Sequence, residues 1–453
     1  MRIQWALLCV VVTSLAGFSQ DKSFDLSRYK FPDYKRHELE LDFNSRGQGY
    51  KSNYEYPLSD NSGVEVKEDK NFESSSNATL NYIFEKHTRR HIDRMYSWIS
   101  GQYNFLKSTQ SLNITKNNYS YGTIYFDGSS RYYLTKNKLF VEGLGNMRIY
   151  SSNRRSSNEF EGEISSKNNY TSNSLMLSAG AGIGIGRLER VNDFWQAYYI
   201  LEKLNRQKSL NRDLEEKDVF EFATLASILK NERFFDARLR KIGELKALDS
   251  LLQSQGLIED GDIAYFTTLN DCWSYGNFME RSSGGELKVQ VMPEYVTSYW
   301  KGDESPSVTS SQTNLVSRIR FEHSKQLNLY WERTFSLMVS NTSVLTTEDE
   351  LPDDYPSNFL RTEALAGIGF YPNTRTSLKL QGSYSGYEFA DIVNNVSDKI
   401  WNHNFLLSLN SNYYISPQLQ LTASVGGRYE FSDFNSRDNK DINYSIGLRY
   451  AIF

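Results

Sequence analysis

Charged residues in the C-terminal part of this chain keep a spacing of two. Arg318, Arg320 and Glu322 share one parity, as do Arg361 with Glu363 and Arg428 with Glu430. Glu142, Arg148, Glu332, Lys379 and Arg449 sit on the polar parity of their own segments. Side chains two apart in an extended chain project to one face. Such residues can set a field along a wall past which solutes move, or neutralise one another. The mixture of signs favours mutual pairing. Arg333 breaks the rule by falling on the apolar parity. That requires either a position at the edge of the apolar band or a bulge that shifts the register.

Other chemistry-bearing residues have weaker patterns. Gly180, Gly182, Gly184 and Gly186 superficially resemble a phosphate-binding loop, but strict period two is wrong for one, because a phosphate loop needs a turn that opens a helix. With Leu175, Leu177, Ala179, Ala181, Ile183 and Ile185 on the opposite face, the glycines point inward. They mark either a bend in a sheet or a smooth wall against which helices pack. His87 and His91 flank Arg89 and Arg90 in an expected turn and form a basic rim rather than a metal pair. His403 is the one histidine placed where a serine nucleophile is conceivable. Glu348, Asp349, Glu350, Asp353 and Asp354 form an acidic cluster that reads as a solvated loop rather than a cation site. Cys272, alone after Cys9, reads as a small buried hydrophobe. Neither metal nor organic cofactor is expected, and a net charge of −4 gives no reason to expect nucleic acid.

The elements that must position these residues alternate apolar and polar. In Gln418 to Phe431, Leu419, Leu421, Ala423, Val425, Tyr429 and Phe431 oppose Gln420, Thr422, Ser424, Arg428 and Glu430. Trp401 to Tyr413 and Thr313 to Glu322 repeat the pattern, and the end alternates from Ile442 through Ile452 to Phe453. Period two over such lengths predicts strands with one apolar and one wet face. Before the glycines, strands are expected near 36–48, 76–86, 91–107, 118–134, 138–151 and 172–186. Ser/Asn-rich loops are expected at 49–75, 108–117 and 152–171. About eight strands follow from residue 285, giving about fourteen in all. Short turns near Ser324 to Gln326, Tyr371 to Thr374 and Ser416-Pro417 alternate with longer loops at 343–359, 389–399 and 433–439.

Between the halves the period changes to that of helices. Val191, Phe194, Trp195, Tyr198, Leu201 and Leu204 predict a helix from Leu188. Asp213 with Glu216 suggests a capping box for a second, running to Leu229. Phe235 to Leu252 predicts a third, ended by Gly256, and Asp262 to Trp273 a fourth. If these helices cover one another they form a small bundle. If not, the exposed stripe is a partner site.

Residues 1–19 read as a secretory signal peptide, with a basic start, a short apolar stretch and small residues before a cut after Ser19. Cys9 lies too early for a lipoprotein signal. Aromatics reach 14% while mean hydropathy is −0.58, as expected when only alternate residues must be apolar. A closing aromatic strand ending on Phe453, together with the signal peptide and the distributed alternation, resembles Gram-negative outer-membrane β-barrel proteins. Ala451 departs from the bulkier residue often found there. The resemblance covers about 36–186 and 285–453 and implies an all-β transmembrane barrel, assembled into outer-membrane lipids by the barrel-insertion machinery. Residues 20–35 would be periplasmic, and 187–284 a helical insertion at the periplasmic end, either hanging below the barrel or folded into its lumen. Under this reading Arg148, Arg318, Arg320, Glu322, Arg361, Glu363, Arg428, Glu430 and Arg449 line the lumen. The expected function is a porin-like channel for small polar solutes, gated or lined by the insertion. The alternatives are an assembly subunit whose helices dock an envelope protein and, weakest, a barrel hydrolase.

Overall fold

The structure is a computed structural model that describes residues 29, 32–57, 64–110, 113–134, 139–231, 237–275, 281–303, 305–347, 358–393, 396–416, 419–432 and 438–450. The signal peptide, Phe235, the acidic cluster at 348–354 and Phe453 lie outside these residues.

Fourteen antiparallel strands form one sheet in sequence order. They are β1 (Tyr34–Pro57), β2 (Val64–His87), β3 (His91–Gln110), β4 (Asn113–Tyr133), β5 (Leu139–Phe160), β6 (Glu163–Arg190), β7 (Ser282–Gly302) and β8 (Val308–Gln326). β9 (Trp331–Thr347), β10 (Asn358–Asn373), β11 (Thr376–Val393), β12 (Val396–Tyr414), β13 (Leu419–Ser432) and β14 (Asn439–Tyr450) complete it. Between β6 and β7 lie helices α1 (Asn192–Arg206), α2 (Glu216–Asn231), α3 (Ala237–Ser254) and α4 (Ile263–Tyr275). This is the transmembrane-barrel wall with a four-helix insertion that the alternation predicts.

One face of the wall is apolar and exposed: Leu41, Ile99, Ile149, Ile183, Val289, Ile319, Leu407 and Val425 all lie on it. The other face bends inward far enough for side chains on distant strands to meet. Arg190 of β6 pairs with Glu85 of β2 at 2.7 Å, and Arg131 of β4 with Glu286 of β7 at 2.8 Å.

The expected loops at 49–75, 108–117 and 152–171 are instead mostly strand. β1 and β2 pair continuously from Tyr34↔His87 to Pro57↔Val64, and β5 and β6 meet at a two-residue turn, Glu161-Gly162, with positive φ at both positions. Apolar alternation is the wrong test for these segments. Their ladders carry polar cross-strand pairs, among them Ser45–Ser76 (2.8 Å), Thr115–Asn158 (3.0 Å), Asn153–Thr171 (3.0 Å) and Lys116–Glu159 (2.6 Å). Such pairs stabilise a sheet without an apolar face. β6 reaches 28 residues, about 90 Å at the usual rise, against a hydrocarbon layer of about 30 Å. β14 has 12 residues, so the wall is much taller on the β1–β6 side. The expected loop at 389–399 is likewise mostly strand, pairing as far as Val393↔Val396. The turn expected at Ser324 to Gln326 falls at 327–330, because β8 pairs through Gln326↔Glu332.

Helix boundaries also shift. Leu188 to Arg190 pair with Ser282 to Gly284 as strand, so the insertion spans 191–281 rather than 187–284. The cap of α2 is not the Asp213 and Glu216 pair. Asp218 instead accepts the backbone N–H of Glu215 at 2.9 Å, which supplies the back-reaching half of such a box two residues later. α3 does end before Gly256, whose φ is 66°, and Asp262 caps α4 through the N–H of Tyr265 at 2.7 Å.

Among the described residues no ladder joins β1 to β14. Both strands carry strongly exposed apolar side chains, with Leu41 at 74% and Ile446 at 75%. In hydrocarbon, unpaired edges cost several kcal/mol per backbone group, so a bilayer should drive these edges together. Cysteines at Tyr444, Ile446 and Leu448, each combined with Leu41→Cys, are expected to give an intramolecular crosslink in isolated envelopes. A complete scan without one would mean that the seam stays open.

Candidate functional site

The bundle has its own core, and α1 is its centre. Nine of the 15 residues of α1 are buried. Phe194, Ile200, Leu201 and Leu204 pack with Val219, Phe222 and Ala226 of α2, Leu248 and Leu252 of α3, and Leu269 of α4. Tyr29, which precedes β1, is buried in the same core, and its ring stacks against Phe220 at 6.0 Å. Gln196 donates to the carbonyls of Cys272 and Trp273, at 3.2 and 3.0 Å, satisfying groups left open at the end of α4. Cys272 is buried as expected, and burial pushes its thiol above the usual range. Asp193 accepts from Ser227 at 2.5 Å and pairs with Lys230 at 2.7 Å. Arg212 binds both oxygens of Asp218 at 2.8 Å. Burial works against the Asp218 charge, but the guanidinium and the Glu215 N–H outweigh it and hold the carboxyl below its usual range.

The bundle is seated on the strand turns at one end of the wall. Arg281 makes the joint. Its side chain is completely buried. Its Nε donates to Gln326 at 2.7 Å, and its terminal nitrogens donate to the carbonyls of Leu329 (2.8 Å) and Asn328 (3.3 Å). Its backbone N–H donates to Asn192 at 2.6 Å. The guanidinium lies 4.3 Å from the Trp195 ring of α1 and 4.6 Å from the Tyr371 ring of β10. Tyr199 of α1 donates to the carbonyls of Leu329, at 3.1 Å, and Tyr371. Farther round, Asp271 of α4 pairs with Arg375, whose guanidinium stacks on Tyr275 at 4.1 Å. The insertion therefore lies across the turns β8–β9 and β10–β11.

The glycine stripe faces inward, and its neighbours are strands rather than helices. A Cβ at Gly182 would meet Gln290 at 2.9 Å, and one at Gly184 would meet Phe140 at 2.3 Å. Gly186 adopts φ 101°, a region open to glycine. The atoms nearest the missing Cβ positions of Gly180, Gly182 and Gly184 belong to β5 and β7. The missing side chains leave room for a network that arches over β6. Arg131 pairs with Glu142 (2.9 Å) and Glu286 (2.8 Å), Gln290 donates to Glu142 (2.8 Å), and Phe140 lies under the guanidinium at 4.1 Å.

The expected inward residues all fall on the inner parity, but they do not form one cluster. Arg320 pairs with Glu322 at 2.8 Å, Arg361 with Glu363, and Arg428 with Glu430 at 2.8 Å. Each pair joins residues two apart on one strand, so mutual pairing holds for them. Arg318 sits opposite Gln290 and Ser340, Arg148 opposite Tyr125 and Met176, and Arg449 opposite Gln420. Beside these residues a cavity of about 580 Å³ runs along β8–β11, lined among others by Arg320, Glu322, Glu363, Lys379 and Gln381. Arg333 keeps outward parity with no bulge beside it. It pairs across to Lys325 near the helix-bearing end.

The histidines are placed differently from expectation. His87 faces inward, 2.6 Å from an Arg187 nitrogen and 3.6 Å from Glu189, instead of on a lipid-facing rim. The turn after it reverses the parity that the rim required. His403 faces outward, stacked on Phe431 at 4.6 Å and within 3.0 Å of the Tyr384 hydroxyl. Among the described residues no group of three or more His, Cys, Asp or Glu side chains is arranged to hold a metal ion. Sequence reasoning missed Arg281, Tyr199 and Tyr371. It also missed Arg131 and Glu286, although both keep the inward parity that could have found them.

No family model matches the chain, and no curated protein does. Solved structures do. The translocator domain of the autotransporter NalP from Neisseria meningitidis is 10% identical over 95% of each chain, with a TM-score of 0.26. The alcaligin outer-membrane receptor FauA from Bordetella pertussis is 8% identical over 93% of this chain and 66% of its own, with a TM-score of 0.41. The Pseudomonas putida toluene transporter TodX is 9% identical over 92% and 90%, with a TM-score of 0.28. These are likenesses of fold.

Two outcomes follow from the joint and the bundle. Arg281→Met strands the Gln326 oxygen and the Asn328 carbonyl, leaves the Leu329 carbonyl to Tyr199 alone, and should cost about 3–5 kcal/mol at the joint. Thermolysin cleavage at the joint, beside residues 191 and 281, should then quicken by about a hundredfold or more, and Arg281→Lys, lacking the planar fork, should not rescue it. Because the Asp218 pKa is depressed by folding, its contribution is full above the unfolded value of about 3.9 and is lost as pH falls through the folded value. Acid titration of the 222 nm helix signal should therefore show loss of the bundle below about pH 4. Asp218→Asn should flatten that loss and lower stability at neutral pH. An unchanged acid profile would remove Asp218 from the account.

Proposed function

We propose that this chain is an outer-membrane channel for small polar solutes whose periplasmic mouth is gated by the helical bundle. The observation that carries this reading is the Arg281 joint, which seats α1 across the turns while a cavity of about 580 Å³, bordered by Arg320, Glu322, Glu363 and Lys379, stays open along the inner wall behind it. An inert plug would need no cavity, and a simple diffusion pore would need no bundle at its mouth. Paired Arg-x-Glu charges give the lumen a wet, nearly neutral lining. The exposed apolar face suits outer-membrane lipids, with export directed by residues 1–19 and assembly by the barrel-insertion machinery. The reading assigns the chain no reaction.

A second reading has its own support. Ile263 of α4 is 86% exposed and Ile242 of α3 is 57% exposed, so the bundle also offers apolar surface to a periplasmic or outer-membrane protein.

Purified protein in planar bilayers should give brief, infrequent conductance steps. Replacing 191–281 with a short turn should convert them to long openings. Silence from both forms would reject the channel. Envelope crosslinks lost with the same deletion would favour docking.

A further inference from the structure

Midway along β2–β4, away from Glu85 and Arg131, the inner face departs from the charged lining elsewhere. Asn77, Thr79 and Asn81 of β2 and Ser100 and Gln102 of β3 line a second cavity, of about 280 Å³. The rings of Tyr96, Trp98 and Tyr121 complete it, and no charged side chain lines it. These residues share the inward parity: Gln102 pairs across to Tyr121 in the same register that sets Ile92 opposite Arg131. Outward positions of β3 carry Ile99 and Tyr103 instead.

Aromatic rings belong on the outer girdles of a barrel, so inward rings call for another explanation. Here they form a track. Trp98 stacks on Tyr125 at 5.7 Å and 27°, and farther along β4 Tyr121 lies 5.5 Å from Tyr119 and 6.2 Å from Tyr150. The polar groups beside the track are held in place. Tyr121 donates to Gln102, which in turn donates to Asn104 at 2.9 Å.

Flat apolar faces bordered by fixed amides and hydroxyls complement a molecule with C–H faces rimmed by hydroxyl groups. The rings supply dispersion contact, and the amides and hydroxyls both donate and accept. A charged solute would leave its charge unpaired against this lining, at a desolvation cost. We propose that the hollow is a subsite for neutral saccharides. The proposal rests on the channel reading but narrows its solute class.

The test uses the full-length protein. Binding of maltotriose and raffinose is followed in detergent micelles by tryptophan fluorescence, and block of ion current by the same sugars in planar bilayers. Triglycine and citrate serve as zwitterionic and anionic comparators. Saturable millimolar binding of at least one sugar is expected, with neither comparator competing. Trp98→Ala and Tyr121→Ala, each shown to be folded by heat-modifiable gel mobility, should weaken binding by roughly tenfold. Outward-facing Tyr103→Ala should not. Conductance without sugar binding, binding indifferent to Trp98 and Tyr121, or equal binding of triglycine or citrate would each overturn the saccharide assignment. Sugar binding without conductance would uphold the subsite and count against the channel.

Discussion

The bundle's position follows from how a buried guanidinium is satisfied. Arg281 has donors in a fixed plane and no water to receive them. Gln326 ends β8 and the carbonyls of Asn328 and Leu329 lie on the β8–β9 turn, while the flat faces of Trp195 and Tyr371 come from α1 and β10. A charge this deeply buried is costly unless every donor is met, so α1 and the two turns must come together around it. Tyr199, hydrogen-bonded to the same turn region, and the Asp271–Arg375 pair widen the contact. The joint is polar and small compared with the bundle's apolar core. Separation there would leave the bundle intact, which is what a gate needs.

The wall beside the bundle is shaped by a different constraint. The glycines of β6 remove side chains from the inner face and let β5 and β7 reach over it. Arg131, Glu142, Glu286 and Gln290 then tie β4 and β5 to β7 across β6 from the inside. This part of the interior is filled, whereas the β8–β11 side retains its cavity.

The strand wall was legible because period two is a local property. A parity flip is unmistakable in Gln418 to Phe431, and inward placement of Arg320, Glu363 and Arg428 follows from it. The extended hairpins of β1–β6 were not legible by apolar alternation, because their ladders are held by Ser, Thr and Asn pairs with no greasy face. The helices showed in their spacing, apart from the first turn of α1, where Leu188 extends a strand. Arg281 could not be read at all. Its importance comes from partners 45 to 48 positions away, and no local pattern specifies them. Arg131 and Glu286 were legible by parity, though their meeting over β6 required the three-dimensional bend.

The central claim is that seating of the bundle on the turns closes the mouth. Cysteines in place of Asp271 and Arg375, joined by a short reducible thiol crosslinker, would fix that seating in the full-length protein. The account predicts that single-channel conductance disappears in the linked protein and returns when the linker is reduced. Equal conductance in the linked and reduced forms would contradict it.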